Sequence, residues 1–162
     1  VERPQGEIGE VWCRGPGAMN GYYRDRAATD AVMKGDGWLA IGDLAYLDED
    51  GQIHLVGRLK DIILRSGFTV YPAEIEAVLS AHPDILQSAV VGRAVPDNEE
   101  VIAYVQPAPG ATLDIAEIYA FARDRLAPYK RPGRIVALDA LPVGPTGKIA
   151  KEELRRAAAA LE

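Results

Sequence analysis

Gly57-Arg58-Leu59-Lys60-Asp61-Ile62-Ile63-Leu64-Arg65-Ser66-Gly67-Phe68-Thr69-Val70-Tyr71-Pro72-Ala73-Glu74-Ile75-Glu76 is the stretch at which the chain changes character. Residues 1 to 57 carry 5 basic and 10 acidic side chains, whereas residues 58 to 162 carry 13 and 14. The charges of Arg58, Lys60 and Asp61 fall on that step, where a hinge between two domains would lie, and Gly67 permits a positive φ or a close backbone approach. A solvated linker followed by a turn fits the same residues. Pro72 suits the first helical position, Glu74 and Glu76 favour the positive end of a helix dipole, and Ile75, Val78 and Leu79 share one face, so a helix is predicted that Pro83 closes.

Upstream the pattern is β-rich. Gly6 to Arg14 alternates as a strand, and a short helix is expected over Arg26 to Met33, started by Asp25. Trp38 to Ile41 and Ala45 to Leu47 read as extended, Asp48-Glu49-Asp50-Gly51 as a hairpin turn, and Gln52 to Val56 as the returning strand. Downstream, helical and extended segments alternate. Ile62 to Leu64 is a short strand, and Ile85 to Val91 pairs with Val101 to Gln106 across Pro96-Asp97-Asn98. Ile115, Ile118, Tyr119, Ala122 and Leu126 mark an amphipathic helix stopped by Pro128. Arg134 to Leu138 is a last strand, and Lys151 to Leu161 an alanine-rich helix. The expected class is α+β, with a β-rich segment over residues 1–57 and a small α+β domain over 58–162.

The 162 residues carry a net charge of −6, which argues against a nucleic-acid binder, because affinity for phosphate backbones needs a basic face. At 48 % hydrophobic residues a packed core is expected rather than disorder. No apolar run approaches the roughly 20 residues of a membrane span, and no signal peptide is legible, so a cytoplasmic location is expected. Cys13 is the only cysteine, which excludes an intrachain disulfide and points to a packed, reduced thiol. No metal cluster is visible, and His54 and His82 stand isolated.

Two further stretches hold more polar and glycine residues than packing requires. In Gly42-Asp43-Leu44, an aspartate at a strand end can accept hydrogen bonds from a vicinal diol such as a ribose, or simply serve a turn. Leu141-Pro142-Val143-Gly144-Pro145-Thr146-Gly147-Lys148-Ile149 is not a P-loop: only two residues separate Gly144 from Gly147, and Ile149 rather than Ser or Thr follows Lys148. What remains is a lysine on a glycine and proline loop, either a surface lysine or a compact cation offered to a site formed elsewhere.

Taken in order, these motifs resemble the C-terminal part of the adenylate-forming superfamily: acyl-CoA synthetases, aryl-CoA ligases, luciferase and the adenylation domains of nonribosomal peptide synthetases. The resemblance runs from Gly6-Glu7-Ile8-Gly9-Glu10-Val11 and Met19-Asn20-Gly21-Tyr22-Tyr23 to Lys148-Ile149-Ala150-Lys151, with residues 57 to 76 its most specific part. It implies that Asp43 and Arg58 contact the ribose of ATP. Lys60 takes the hinge position about which a small lid rotates between two half-reactions, and Gly67 lies in a loop lining the pantetheine tunnel of CoA. Lys148 bridges the acyl carboxylate and the α-phosphate. The implied cofactors and partners are ATP with Mg2+, CoA, a small carboxylic acid and a large N-terminal domain. That domain would hold the phosphate loop and acyl pocket, so the chain is expected to be the C-terminal piece of a longer AMP-forming ligase, inactive alone.

Two departures stand out. Leu39-Ala40-Ile41 replaces the usual segment ending in threonine before Gly42-Asp43, and the loop after Pro96-Asp97 is short and lacks a Gly-Glu pair. Lys60 and Val70-Tyr71-Pro72 look more like fatty-acyl or aryl-CoA ligases than peptide-synthetase domains. The alternative class is a non-catalytic module whose basic cluster, Arg123, Arg125, Lys130, Arg131 and Arg134, receives an acidic carrier protein.

Overall fold

The computed structural model describes residues 2–161, which divide into one compact unit ending at Lys60 and a second beginning at Asp61. The first is built on an antiparallel sheet in the order β1 (Gly9–Cys13), β2 (Leu39–Leu47), β3 (Ile53–Arg58). Helix α1 (Arg26–Val32) is started by Asp25, whose side chain accepts from the Ala28 N–H. The β2–β3 turn is organised by Asp48, whose Oδ1 accepts from the N–H groups of Asp50 and Gln52, while Gly51 takes a φ of 77°.

Two expectations are corrected in this unit. Asp43 does not sit at a strand end: β2 runs unbroken from Leu39 to Leu47, because the left-handed Gly42 (φ 74°) is absorbed as a bulge, with the β1 register shifting between Glu10 and Trp12. Cys13 is exposed rather than packed, since it ends the edge strand β1 on a half of that strand left open to solvent.

In the second unit, β6 (Ile85–Val95) and β7 (Asn98–Pro107) form a hairpin and β8 (Arg134–Ala137) joins β7 in parallel. Helices α2 (Pro72–Ser80), α3 (Ile115–Arg125) and α4 (Lys151–Ala159) pack against this sheet. Strand alternation sorts the core. Val90, Val101, Ala103 and Val105 face Ile75 and Leu79 of α2 and Ile118 and Ala122 of α3. Ala89, Val91, Ile102 and Tyr104 face Leu154 and Ala158 of α4. A sheet covered on both faces explains why Val101 to Val105 is one apolar run. The unit is α+β, as expected from the sequence.

The strands β6 and β7 extend beyond their predicted ends and meet at a two-residue turn, with Val95 opposite Asn98. The predicted lone strand near Ile63 is instead the first arm of a second hairpin, β4 (Ile63–Arg65) and β5 (Phe68–Val70). Its inner residues Ile63 and Val70 are fully buried. Its turn, Ser66-Gly67, has positive φ at both residues (51° and 82°), the mirror-image turn that matches strand twist. Gly67 adopts this readily, whereas Ser66 does so at a cost on the order of 1 kcal/mol.

Candidate functional site

In the first unit, β2 and β3 place Asp43 and Arg58 directly opposite one another, and Arg58 Nε lies 2.9 Å from Asp43 Oδ1. The side chains are 23 % and 52 % exposed, so the carboxylate and the guanidinium both remain open to an approaching polar ligand. The two side chains thus form one polar pair. Lys60 follows in a 3-10 turn, Leu59–Asp61, and is exposed.

Gly67 and Lys148 occupy separate loops of the second unit. A Cβ added at Gly67 would meet nothing within 4 Å, so its turn leaves an open backbone face. The loop carrying Lys148 is closed by its own backbone: Gly144 N–H donates to Lys148 O at 2.8 Å, Gly147 N–H to Gly144 O at 3.0 Å, and Val143 bridges Ile149. Gly147 has a φ of 77°. Lys148 is exposed, and among the described residues no carboxylate pairs with it. Other lysines of this unit differ: Lys151 pairs with Glu76 at 2.7 Å, and Lys130 with Glu74 at 2.6 Å. The hydrogen bond that Lys130 donates to Glu74 raises its ammonium above its ordinary pKa, against partial burial. Lys148 is a cation held on a defined mount and available to an anion.

Several positioning contacts went unread in the sequence. Arg155 of α4 donates to Asp61 Oδ1, and also to Glu152 at 3.0 Å. Asn98 binds both ends of Ser66: its Oδ1 accepts from the Ser66 N–H at 2.7 Å and its Nδ2 donates to Ser66 Oγ at 3.2 Å. Glu99 accepts from the Leu64 N–H at 2.5 Å. In the sequence, only the positive φ that Gly67 permits pointed to a special turn here. The histidines are not isolated. His54 pairs with Asp48 Oδ2 at 2.5 Å and stacks on Tyr46, while His82 is buried against Phe121.

The basic cluster is largely engaged within the unit. Arg131 donates to the Leu126 and Arg123 carbonyls at the end of α3, Lys130 is held by Glu74, and Arg125 lies over Phe121 and donates to its carbonyl. Among the described residues no group of three or more His, Cys, Asp or Glu is arranged to hold a metal ion.

Residues 74–148 match the protein family described as AMP-binding enzyme C-terminal domain. The chain is 40 % identical over 156 residues to 4-coumarate–CoA ligase-like 6 of Arabidopsis thaliana, covering 94 % of this chain and 27 % of that protein. It is 42 % identical over 152 residues to an indoleacetate–CoA ligase of Aromatoleum aromaticum, covering 93 % of this chain and 30 % of that protein. Among solved structures, it superposes on the amide bond synthetase McbA from Marinactinospora thermotolerans with a TM-score of 0.87 at 43 % identity, covering 96 % of this chain and 32 % of that one. ATP-bound MatB from Rhodopseudomonas palustris gives a TM-score of 0.90 at 36 % identity, covering 98 % and 32 %. The chain therefore spans less than a third of the length of these relatives. The likeness to the AMP-binding enzyme C-terminal domain family covers residues 74–148, less than half of the chain.

Proposed function

We propose that this chain supplies the ribose-binding pair and the mobile lid of an ATP-dependent, AMP-forming carboxylate–CoA ligase, whose acyl pocket and phosphate loop reside in a large partner domain. The carboxylate oxygen attacks the α-phosphorus of ATP and pyrophosphate leaves. The CoA thiol then attacks the acyl carbon, its proton is lost to solvent, and AMP departs. Asp43 and Arg58 bind the ribose hydroxyls, Lys60 is the pivot, Gly67 faces the pantetheine arm, and Lys148 bridges the two anions of the first step. Mg2+ would be held mainly by the phosphates of ATP and by the large domain.

The observation that carries this reading is the exposed ammonium of Lys148, unpaired among the described residues, on a loop closed by its own hydrogen bonds. Carboxylate and α-phosphate repel as they approach, and a fixed cation offsets that repulsion while stabilising charge in the transition state. The test is carboxylate-dependent pyrophosphate exchange by the enzyme containing the large domain. Lys148→Ala should lower exchange by about 10²- to 10³-fold, and the 162-residue chain alone should show none. Exchange unimpaired in Lys148→Ala overturns the assignment.

One observation favours a second acceptor. The structural likeness to an amide bond synthetase makes an amine a possible attacking group in place of the CoA thiol. Product analysis with CoA and with amines in separate reactions decides between them.

A further inference from the structure

We infer that Asn98 is a positioning residue for the acceptor half-reaction, holding the Ser66-Gly67 turn in the conformation that presents its backbone to the incoming acceptor. The inference rests on the function proposed above and deepens it. Asn98 begins β7 after the two-residue Pro96-Asp97 turn, and this tight turn brings its amide onto Ser66. Its Oδ1 takes the Ser66 N–H at 2.7 Å and its own neighbour's N–H, that of Glu99, at 2.9 Å, and its Nδ2 reaches Ser66 Oγ at 3.2 Å.

Ser66 is the residue that needs such a clamp. At a φ of 51° it occupies a conformation that non-glycine residues adopt reluctantly, and persistence there requires the surroundings to over-determine it. The bond to its N–H and the bond to its hydroxyl do so together. The strands on either side are fixed independently, because Ile63 and Val70 are fully buried and Glu99 holds the Leu64 N–H. Ser66, Gly67 and Phe68 themselves are exposed. Loss of the clamp therefore frees the tip of the hairpin without dismantling its base. The residue acts through the turn, so the adenylation step should not feel it.

The experiment compares Asn98→Ala and Asn98→Asp with the parent enzyme containing the large domain, measuring pyrophosphate exchange and, separately, CoA-dependent consumption of pre-formed acyl-adenylate. In Asn98→Ala, kcat/KM for CoA should fall about tenfold with exchange unchanged, the scale of losing hydrogen bonds that position a reacting group. Asn98→Asp should stay within about twofold of the parent, since a carboxylate accepts from the Ser66 N–H and from the Ser66 hydroxyl, which can rotate to donate. Equal loss in both half-reactions, no loss in Asn98→Ala, or an Asp variant as impaired as Ala overturns the proposal alone. A parent enzyme that forms no acyl-adenylate overturns the proposed function and this inference with it.

Discussion

Arg155, in α4, donates to Asp61, the first residue of the second unit after Lys60. Because α4 begins three residues after Lys148, the pair links the start of the unit to the helix that carries the lysine loop. The side chains are 13 % and 26 % exposed for Asp61 and Arg155, so the bond is partly screened from water. Burial alone would lower the Arg155 pKa, but the hydrogen bonds and charges of Asp61 and Glu152 outweigh it and hold the guanidinium above its ordinary value.

Truncating Arg155 strands the Asp61 carboxylate, and truncating Asp61 leaves Arg155 with Glu152 alone. Asp61→Ala and Arg155→Ala should each destabilise the second unit by about 2 kcal/mol, and the double variant by roughly 1–2 kcal/mol less than the sum, because the shared interaction is lost only once. Urea denaturation of the four proteins measures the coupling. Strict additivity would show that the pair does not act as a unit.

Asp43 and Arg58 should behave differently. Their pair is more exposed, and exposed pairs contribute about 0–1 kcal/mol to stability. Asp43→Ala and Arg58→Ala should therefore leave the denaturation midpoint almost unmoved while raising KM for ATP about tenfold in the enzyme with its large domain, the loss expected for a hydrogen bond to a charged group. A large fall in stability with unchanged KM would make the pair structural.

Acid should weaken the first unit through Asp48. The hydrogen bond with His54, followed by that from the Gln52 N–H, holds the Asp48 carboxyl below its ordinary range. A depressed folded pKa means that the unfolded chain binds the proton first. Stability from this group is complete above the unfolded carboxylate value of about 4 and is lost as pH falls through the folded pKa. Asp48→Asn should flatten that acid limb in denaturation measured across the range, and a variant with the parent's slope would assign the limb to other groups.

Alkali should weaken the second unit through Tyr104. The ring is 2 % exposed and its hydroxyl donates to the Leu154 carbonyl at 3.2 Å. Burial raises the hydroxyl above its ordinary pKa, with Arg93 pulling the other way. The unfolded chain then releases its proton first, so stability is intact below the unfolded value of about 10 and falls as pH rises above it. Tyr104→Phe should cost about 1 kcal/mol at neutral pH and remove the alkaline fall. Chemical denaturation at paired neutral and alkaline pH reads both effects.

The helices α1, α2, α3 and α4 were legible because each carries a local signal: Asp25 and Pro72 at the starts of the first two, the stripe of Ile115, Ile118, Tyr119 and Ala122 in the third, and the alanine run at 157–160 in the fourth. The β4–β5 hairpin was not, because three-residue arms carry too little alternation and Ser at the first turn position disguises the mirror-image turn. Asp43, Arg58 and Lys148 could be singled out by residue type and by the glycines beside them. The opposition of Asp43 to Arg58 could not, because it depends on a bulged register that no local pattern specifies. Arg155 and Asn98 were invisible for a related reason: their partners lie 94 and 32 residues away.

Cys13 gives the chain a chemical handle. Being the only cysteine and exposed at the end of an edge strand, it can take a maleimide fluorophore while leaving every buried side chain untouched. A second label introduced at an exposed position in α4, such as Arg156, would make a donor and acceptor pair spanning the Lys60 joint. Energy transfer between them would convert the proposed swivel into a distance that can be followed in real time as nucleotide is added.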